Sequence, residues 1–184
     1  MKANRTTLTI VVVLVLIVVG WWLFRRGEAA HSIDLVAQFE SAKKQPSPDL
    51  FTVTDANLNG ETRKAIAIGP TAGTRLTWNV TVPDDGWLWV WVALKPEAWE
   101  KPGDGVKFHG GVSDGRAYEQ LFTQHVDPFN NPSDRKWTPL KIDLSAYAGE
   151  QVALILNTNA SEPNKGNNQD NDLALWGSPE IVVR

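Results

Sequence analysis

Three tryptophans, Trp87, Trp89 and Trp91, stand at spacing two in "GWLWVWVAL" (86–94), interleaved with Leu88, Val90 and Val92. In a strand successive side chains point to opposite faces, so the three indoles share one face and the aliphatic set takes the other. The small branched face suits the interior of a sandwich whose sheets lie about 10 Å apart, which turns the indoles outward. Covering three indoles at about 200 Å² each involves roughly 600 Å², the upper end of the apolar patch a monomer exposes. At about 25 cal/mol per Å² that burial is worth on the order of 15 kcal/mol gross, so a bare face in water is disfavoured. Four covers fit: the protein's own core or a segment laid over the indoles, a partner protein, a sugar, or the bilayer interface. Tryptophan concentrates at binding hot spots, which makes Trp87, Trp89 and Trp91 the candidate partner-binding residues.

Sugar recognition needs an exposed aromatic beside polar groups that take hydroxyls. Trp99 and Trp137 sit in long loops next to Lys, Glu, Asp or Arg and are the candidate sugar-binding pair. Trp137 also precedes a strand, a position from which it would plug the end of a sandwich. Catalytic constellations are not apparent. There is no H-E-x-x-H helix, and the three histidines, His31, His109 and His125, are scattered. No carboxylate pair is set apart for glycoside hydrolysis. The expectation is a non-catalytic protein.

Composition is globular, with 42% hydrophobic and 21% charged residues. Leu8 to Phe24 carries no charge and at 1.5 Å per residue reaches roughly 26 Å, which predicts one membrane-spanning helix. The run exceeds the apolar region of a usual signal peptide, and Trp21, Trp22, Arg25 and Arg26 intervene before any cleavage site near "GEAAHS". An uncleaved anchor is therefore expected, with Trp21 and Trp22 as an interfacial belt and Arg25 and Arg26 reaching the headgroups. Lys2 and Arg5 favour an N-terminus inside. Residues 27–184 then lie outside the cytoplasm. There 14 basic residues stand against 21 acidic ones, a net charge of −7, which argues against a nucleic-acid partner. The absence of cysteine excludes disulfides and thiolate metal sites and suggests a bacterial cytoplasmic (inner) membrane protein with a periplasmic domain.

The elements that must position these residues follow from the pattern. Ser32 as a cap, with Ile33, Val36 and Phe39 at helical spacing and Pro46 and Pro48 beyond, predicts a short amphipathic helix. From Leu50 onward, eight to ten alternating runs are separated by turn residues such as Asn59-Gly60, Asp84 to Gly86 and Asp114-Gly115. This spacing predicts a mainly β protein, an antiparallel two-sheet sandwich. The expected organisation is an anchor at 1–27, a juxtamembrane helix or linker at 28–49 and a sandwich at 50–184. Three longer connections, 95–105, 127–137 and 159–172, are where loop-borne function would sit.

The segment "WTPLKIDLSAYAGEQVALILNT" (137–158), with the closing "LALWGSPEIV" (173–182), resembles bacterial extracytoplasmic jelly-roll domains of the galactose-binding-like, carbohydrate-binding type. Its matching elements are Trp137, the turn from Asp143 to Gly149, the strand with Val152, Leu154 and Leu156, and Trp176-Gly177 with Pro179 and Ile181. Such domains often carry a structural calcium (Ca2+) near the ends of their first and last strands. By that analogy Asp55, Asn57 and Glu180 would supply oxygens, or separately Asp170, Asn171 and Asp172. The spacing matches no strict motif, and Asn/Asp-rich turns are common without metal. Sugar-binding jelly rolls usually serve a catalytic module on the same chain, and here the last strand is followed directly by Arg184. The expectation is therefore an accessory subunit, its sandwich docked onto a larger membrane complex such as a photosynthetic or respiratory one. The alternative is a membrane-tethered carbohydrate-binding module for envelope glycans.

Overall fold

A computed structural model describes residues 32–69, 73–160 and 171–184. The expected membrane span, with Trp21, Trp22, Arg25 and Arg26, lies outside the described residues. Among these, no helix is long and apolar enough to cross a membrane, and the helical elements are single 3-10 turns of three residues.

Among the described residues eleven strands form the architecture: β1 (Ile33–Asp34), β2 (Lys43–Gln45), β3 (Phe51–Leu58), β4 (Glu61–Ile68), β5 (Gly73–Thr81), β6 (Gly86–Leu94), β7 (Val106–Ser113), β8 (Tyr118–Val126), β9 (Thr138–Asp143), β10 (Gln151–Ala160) and β11 (Ala174–Val183). One sheet, here sheet A, runs β3-β4-β11-β6-β9, with β1 paired to β11; sheet B runs β2-β5-β10-β7-β8. All pairings are antiparallel, and the two sheets make a sandwich. The alternation expected from the sequence sets the inner faces. Leu88, Val90 and Val92 of β6 and Leu76, Trp78 and Val80 of β5 are buried against Leu154, Leu156, Phe108 and Trp176. Phe108 meets Trp176 edge-on at 4.9 Å between ring centroids.

The turns follow residue type. Asn59 and Gly60 have φ of 52° and 87° in a two-residue hairpin between Leu58 and Glu61, the conformation an Asn-Gly hairpin requires. The runs "LALW" and "EIVV" are one strand, β11, whose register shifts between Gly177 and Glu180. Pro179 sits in that irregularity, where a ladder donor is not needed.

The amphipathic helix expected within 28–49 is corrected by the structure. Residues 32–50 hold two short strands and two 3-10 turns. Asp34 Oδ1 accepts from the backbone N–H groups of Val36 (2.8 Å) and Ala37 (2.9 Å), closing a local turn. Leu35 and Val36 enter the sandwich core, and Leu35 N donates to Pro179 O at 3.0 Å. Apolar residues three apart serve a turn that drops into a core as well as they serve a helix face, and here the tertiary burial won.

Candidate functional site

The sandwich has two outer faces, and they differ in chemistry. On sheet A, Trp87, Trp89 and Trp91 point outward as the alternation predicts, and each is half-buried. Their cover is cationic. The Arg63 guanidinium lies 3.6 Å from the Trp91 ring centroid, Lys141 Nζ lies 4.2 Å from that of Trp89, and the Arg184 guanidinium lies 4.5 Å from that of Trp87. Lys141 is the cross-strand neighbour of Trp89, so the register delivers its side chain to the indole. Arg63, on β4, also pairs with Glu61.

Further along the same face a second small core forms from Leu58, Ala65, Ala67, Ala93, Leu175 and Trp137, flanked by Trp91 and Trp99. Trp137 is only 4% exposed, and its Nε1 donates to Glu61 O at 3.1 Å. Its ring lies over Gly177, where a Cβ would stand 2.6 Å from Cζ3. Trp99 Nε1 donates to Leu94 O at 2.9 Å. The two tryptophans singled out for sugar therefore lie together on sheet A, Trp137 with its ring buried and Trp99 half-buried beside the same cluster.

Sheet B presents a polar outer face. Its register aligns Gln45, Arg75, Asn157, His109 and Thr123 in one row across all five strands, a span of roughly 19 Å at 4.8 Å per strand. Arg75 Nε donates to Asn157 Oδ1 at 2.9 Å, and the Asn157 side chain is hydrogen-bonded to the Tyr118 hydroxyl. Beneath this pair the buried hydroxyls of Thr74 and Thr158 lie 2.6 Å apart and pin β5 to β10. A groove of about 370 Å³ borders the row, with Gln45, Arg75, Asn157 and Asn159 among its lining residues.

Tyr118 is 44% exposed, unlike the half-buried indoles of sheet A. Its ring leans over Gly111, where a Cβ would stand 2.6 Å from Cε2. The glycine is what lets an aromatic ring lie flat on the strand. Burial of part of the ring raises the phenol above its ordinary pKa, opposed by Arg75 and by the Asn157 hydrogen bond. Tyr118 therefore stays a neutral donor and acceptor. His109, 3.0 Å from Thr123 Oγ1, has its pKa lowered by burial and by Lys107, and is neutral near pH 7. This ensemble can stack against one face of a ring and offer hydroxyl, amide and guanidinium partners to its polar edge.

The long loops gather at one end of the sandwich. Arg135 Nη2 donates to Trp99 O at 3.0 Å, Asn130 Nδ2 to Gly103 O at 3.1 Å and Asn171 Nδ2 to Pro102 O at 2.9 Å. Asp172 is buried there, and burial with the nearby charge of Asp104 pushes its carboxyl up to about 7. The candidate calcium ligands Asp55, Asn57 and Glu180 are not brought together. Asp55 and Asn57 are on β3, Glu180 is on β11, and β4 runs between them. Glu180 instead pairs with Asp34, and burial with that neighbouring charge raises its pKa. Asp170 lies outside the described residues; among these, no group of three or more His, Asp or Glu side chains is placed to hold a metal.

Sequence reasoning missed Tyr118, Arg75 and Asn157. The signal available was the pair Gly110-Gly111 inside the strand "VKFHGGVS". Glycine within a strand marks a close approach. Here Phe122 lies over Gly110 on the inner side and Tyr118 over Gly111 on the outer.

No protein-family profile matches the chain. An uncharacterized protein of Archaeoglobus fulgidus is 37% identical over 103 residues, which is 55% of this chain and 25% of that protein. The chain thus spans about a quarter of the length of the curated relative it matches. Among solved structures it is similar to TmCBM61, determined with β-1,4-galactotriose, at a TM-score of 0.53 and 14% identity over 79% of this chain and 90% of the other. It is also similar to the CBM51-2 and INT domains of Clostridium perfringens ZmpB, determined with GlcNAc, at a TM-score of 0.51 and 20% identity over 78% and 28%. The CBM22-2 xylan-binding domain of Paenibacillus barcinonensis Xyn10C matches at a TM-score of 0.50 and 7% identity over 85% and 100%. These likenesses show the fold, a β-sandwich of jelly-roll type shared with carbohydrate-binding modules.

Proposed function

We propose that this chain is a non-catalytic glycan-binding protein whose site is the outer face of sheet B, with Tyr118 as the stacking platform and Arg75, Asn157 and Gln45 as hydroxyl partners. The observation that carries this reading is the exposed Tyr118 ring laid on Gly111 and hydrogen-bonded into the Arg75–Asn157 pair. Aromatic stacking with a few convergent polar groups is what a concave or flat small-molecule site requires. The uncharged run Leu8–Phe24 supports a membrane tether, with the sandwich on the periplasmic side of a bacterial cytoplasmic membrane.

The accessory-subunit reading drew in part on an apolar tryptophan face in need of a partner. With Arg63, Lys141 and Arg184 set over those rings, that requirement is met within the chain. Affinity measurements of the full-length chain in mild detergent against soluble plant and bacterial polysaccharides test the glycan reading. Binding that Tyr118→Ala abolishes is the expected result. Binding that survives Tyr118→Ala would move the site elsewhere, and no binding to any polysaccharide, with a larger complex co-purifying, would restore the docking reading.

A further inference from the structure

The outward positions of sheet B carry no carboxylate. They include Lys43 on β2, Arg75 on β5, Lys107 on β7 and His125 on β8, and neither Asp nor Glu is among them. This is unusual in a chain whose residues 27–184 have 21 acidic groups and a net charge of −7. Sheet A shows the contrast, since its outer face mixes Arg63, Lys141 and Arg184 with Asp143 and Glu180, cross-strand neighbours of Trp87 and Trp89. Among the described residues Lys43, Arg75 and Lys107 enter no salt bridge. A solvated basic side chain in an acidic domain normally finds an acidic neighbour at low cost, and the strands of sheet B place none on the face among the described residues.

We propose that the sheet B site takes an acidic glycan, a polysaccharide bearing uronic-acid carboxylates. The inference rests on the glycan reading above and adds the ligand's charge. Arg75 holds the key position. Its Nε is committed to Asn157 Oδ1 at 2.9 Å, which fixes the plane of the guanidinium beside the groove. The remaining Nη edge suits the planar, two-oxygen geometry of a carboxylate better than a single hydroxyl. Lys107 lies two strands away and one row along, next to Asn159 and His125, roughly 12 Å from Arg75 across the sheet. A chain lying along the row would meet Tyr118 with one ring face and set successive acidic residues near Arg75 and Lys107. The fixed positive charge on the face comes from lysine and arginine, so the attraction is screened by salt.

The test uses the full-length chain in mild detergent and affinity electrophoresis through gels of polygalacturonate, alginate or hyaluronan, each beside its carboxyl-reduced form. Reduction keeps the sugar ring and removes the charge. The expected result is retardation by at least one polyuronate, weakened tenfold or more by carboxyl reduction and weakened again by raised salt. Arg75→Gln and Lys107→Gln should each lower retardation by the acid at least threefold and leave the near-UV circular dichroism unchanged. Lys107→Gln stands apart from the Arg75–Asn157 hydrogen bond, so it reads charge even if the first variant disturbs the groove. Equal retardation by acid and reduced polymers, or Tyr118-dependent binding confined to neutral glycans, would overturn the charge assignment while the glycan reading stands. Failure to bind any polysaccharide, charged or neutral, would overturn both.

Discussion

The outer faces of the two sheets are built on the same alternation and solve opposite problems. Sheet A carries five tryptophans, Trp87, Trp89, Trp91, Trp99 and Trp137, and covers them internally, with cations over three rings and a small apolar cluster around the others. Sheet B carries one outward-facing aromatic, Tyr118, leaves it exposed and surrounds it with polar groups of one charge sign. Aromatic content alone therefore does not mark a binding face. What matters is whether the ring already has a partner within the chain.

The largest effect that would sharpen this contrast comes from the covered face. Trp137→Ala should destabilise the protein by about 3–5 kcal/mol, because a buried ring is removed from over Gly177 and a cavity is left. Chemical denaturation midpoints at constant m-value would show it. A loss below about 1 kcal/mol would mean that the sheet A cluster is not a second core.

A smaller effect, on the order of 2 kcal/mol, should follow pH at the loop end, away from either face. The Asp172 carboxyl titrates at about 7 in the folded chain and near 4 when unfolded. Between those values the folded state binds more protons, so stability is full below about pH 4 and is lost as pH rises through 7. Asp172→Asn should flatten the fall in thermal midpoint between pH 4.5 and 7.5. An unchanged slope would assign the dependence to other groups.

Tyr118→Ala inverts the Trp137 result. It should change stability by no more than roughly 1 kcal/mol, since the ring is 44% exposed, yet weaken glycan binding tenfold or more, about 1.4 kcal/mol. The least costly substitutions are Lys141→Ala, which removes one cation–π contact, and Arg184→Ala, which removes a close one with Trp87 and a longer one, 5.9 Å, with Trp89; such a contact is worth about 0.5–1 kcal/mol. Their clearer signature is optical, a gain in acrylamide quenching of the uncovered indoles. If quenching does not change, the cations are not the cover.

Much of the sandwich was legible from local pattern. Alternation in "GWLWVWVAL" assigned Leu88, Val90 and Val92 to the core and the indoles outward, and Asn59-Gly60 and Gly149 adopt the positive φ their residue types permit. The N-terminal segment was misread because apolar spacing of three fits a turn entering a core as readily as a helix. The candidate site was nearly invisible for a different reason. Gln45, Arg75, Asn157 and Thr123 are unremarkable singly and far apart in the chain, and only the Gly110-Gly111 pair hinted that something lies close above β7.

By itself the sequence determined which residues alternate inward, where the chain reverses, the uncharged stretch at its start and the acidic balance of the rest, since each depends on neighbours a few positions away. Tertiary structure decided the strand order, and with it which side chains share a row. Register brought Lys141 beside Trp89, aligned Gln45, Arg75, Asn157, His109 and Thr123 across sheet B, and kept carboxylates off that face. Those juxtapositions join residues up to 112 positions apart in the case of Gln45 and Asn157, and no local propensity encodes them.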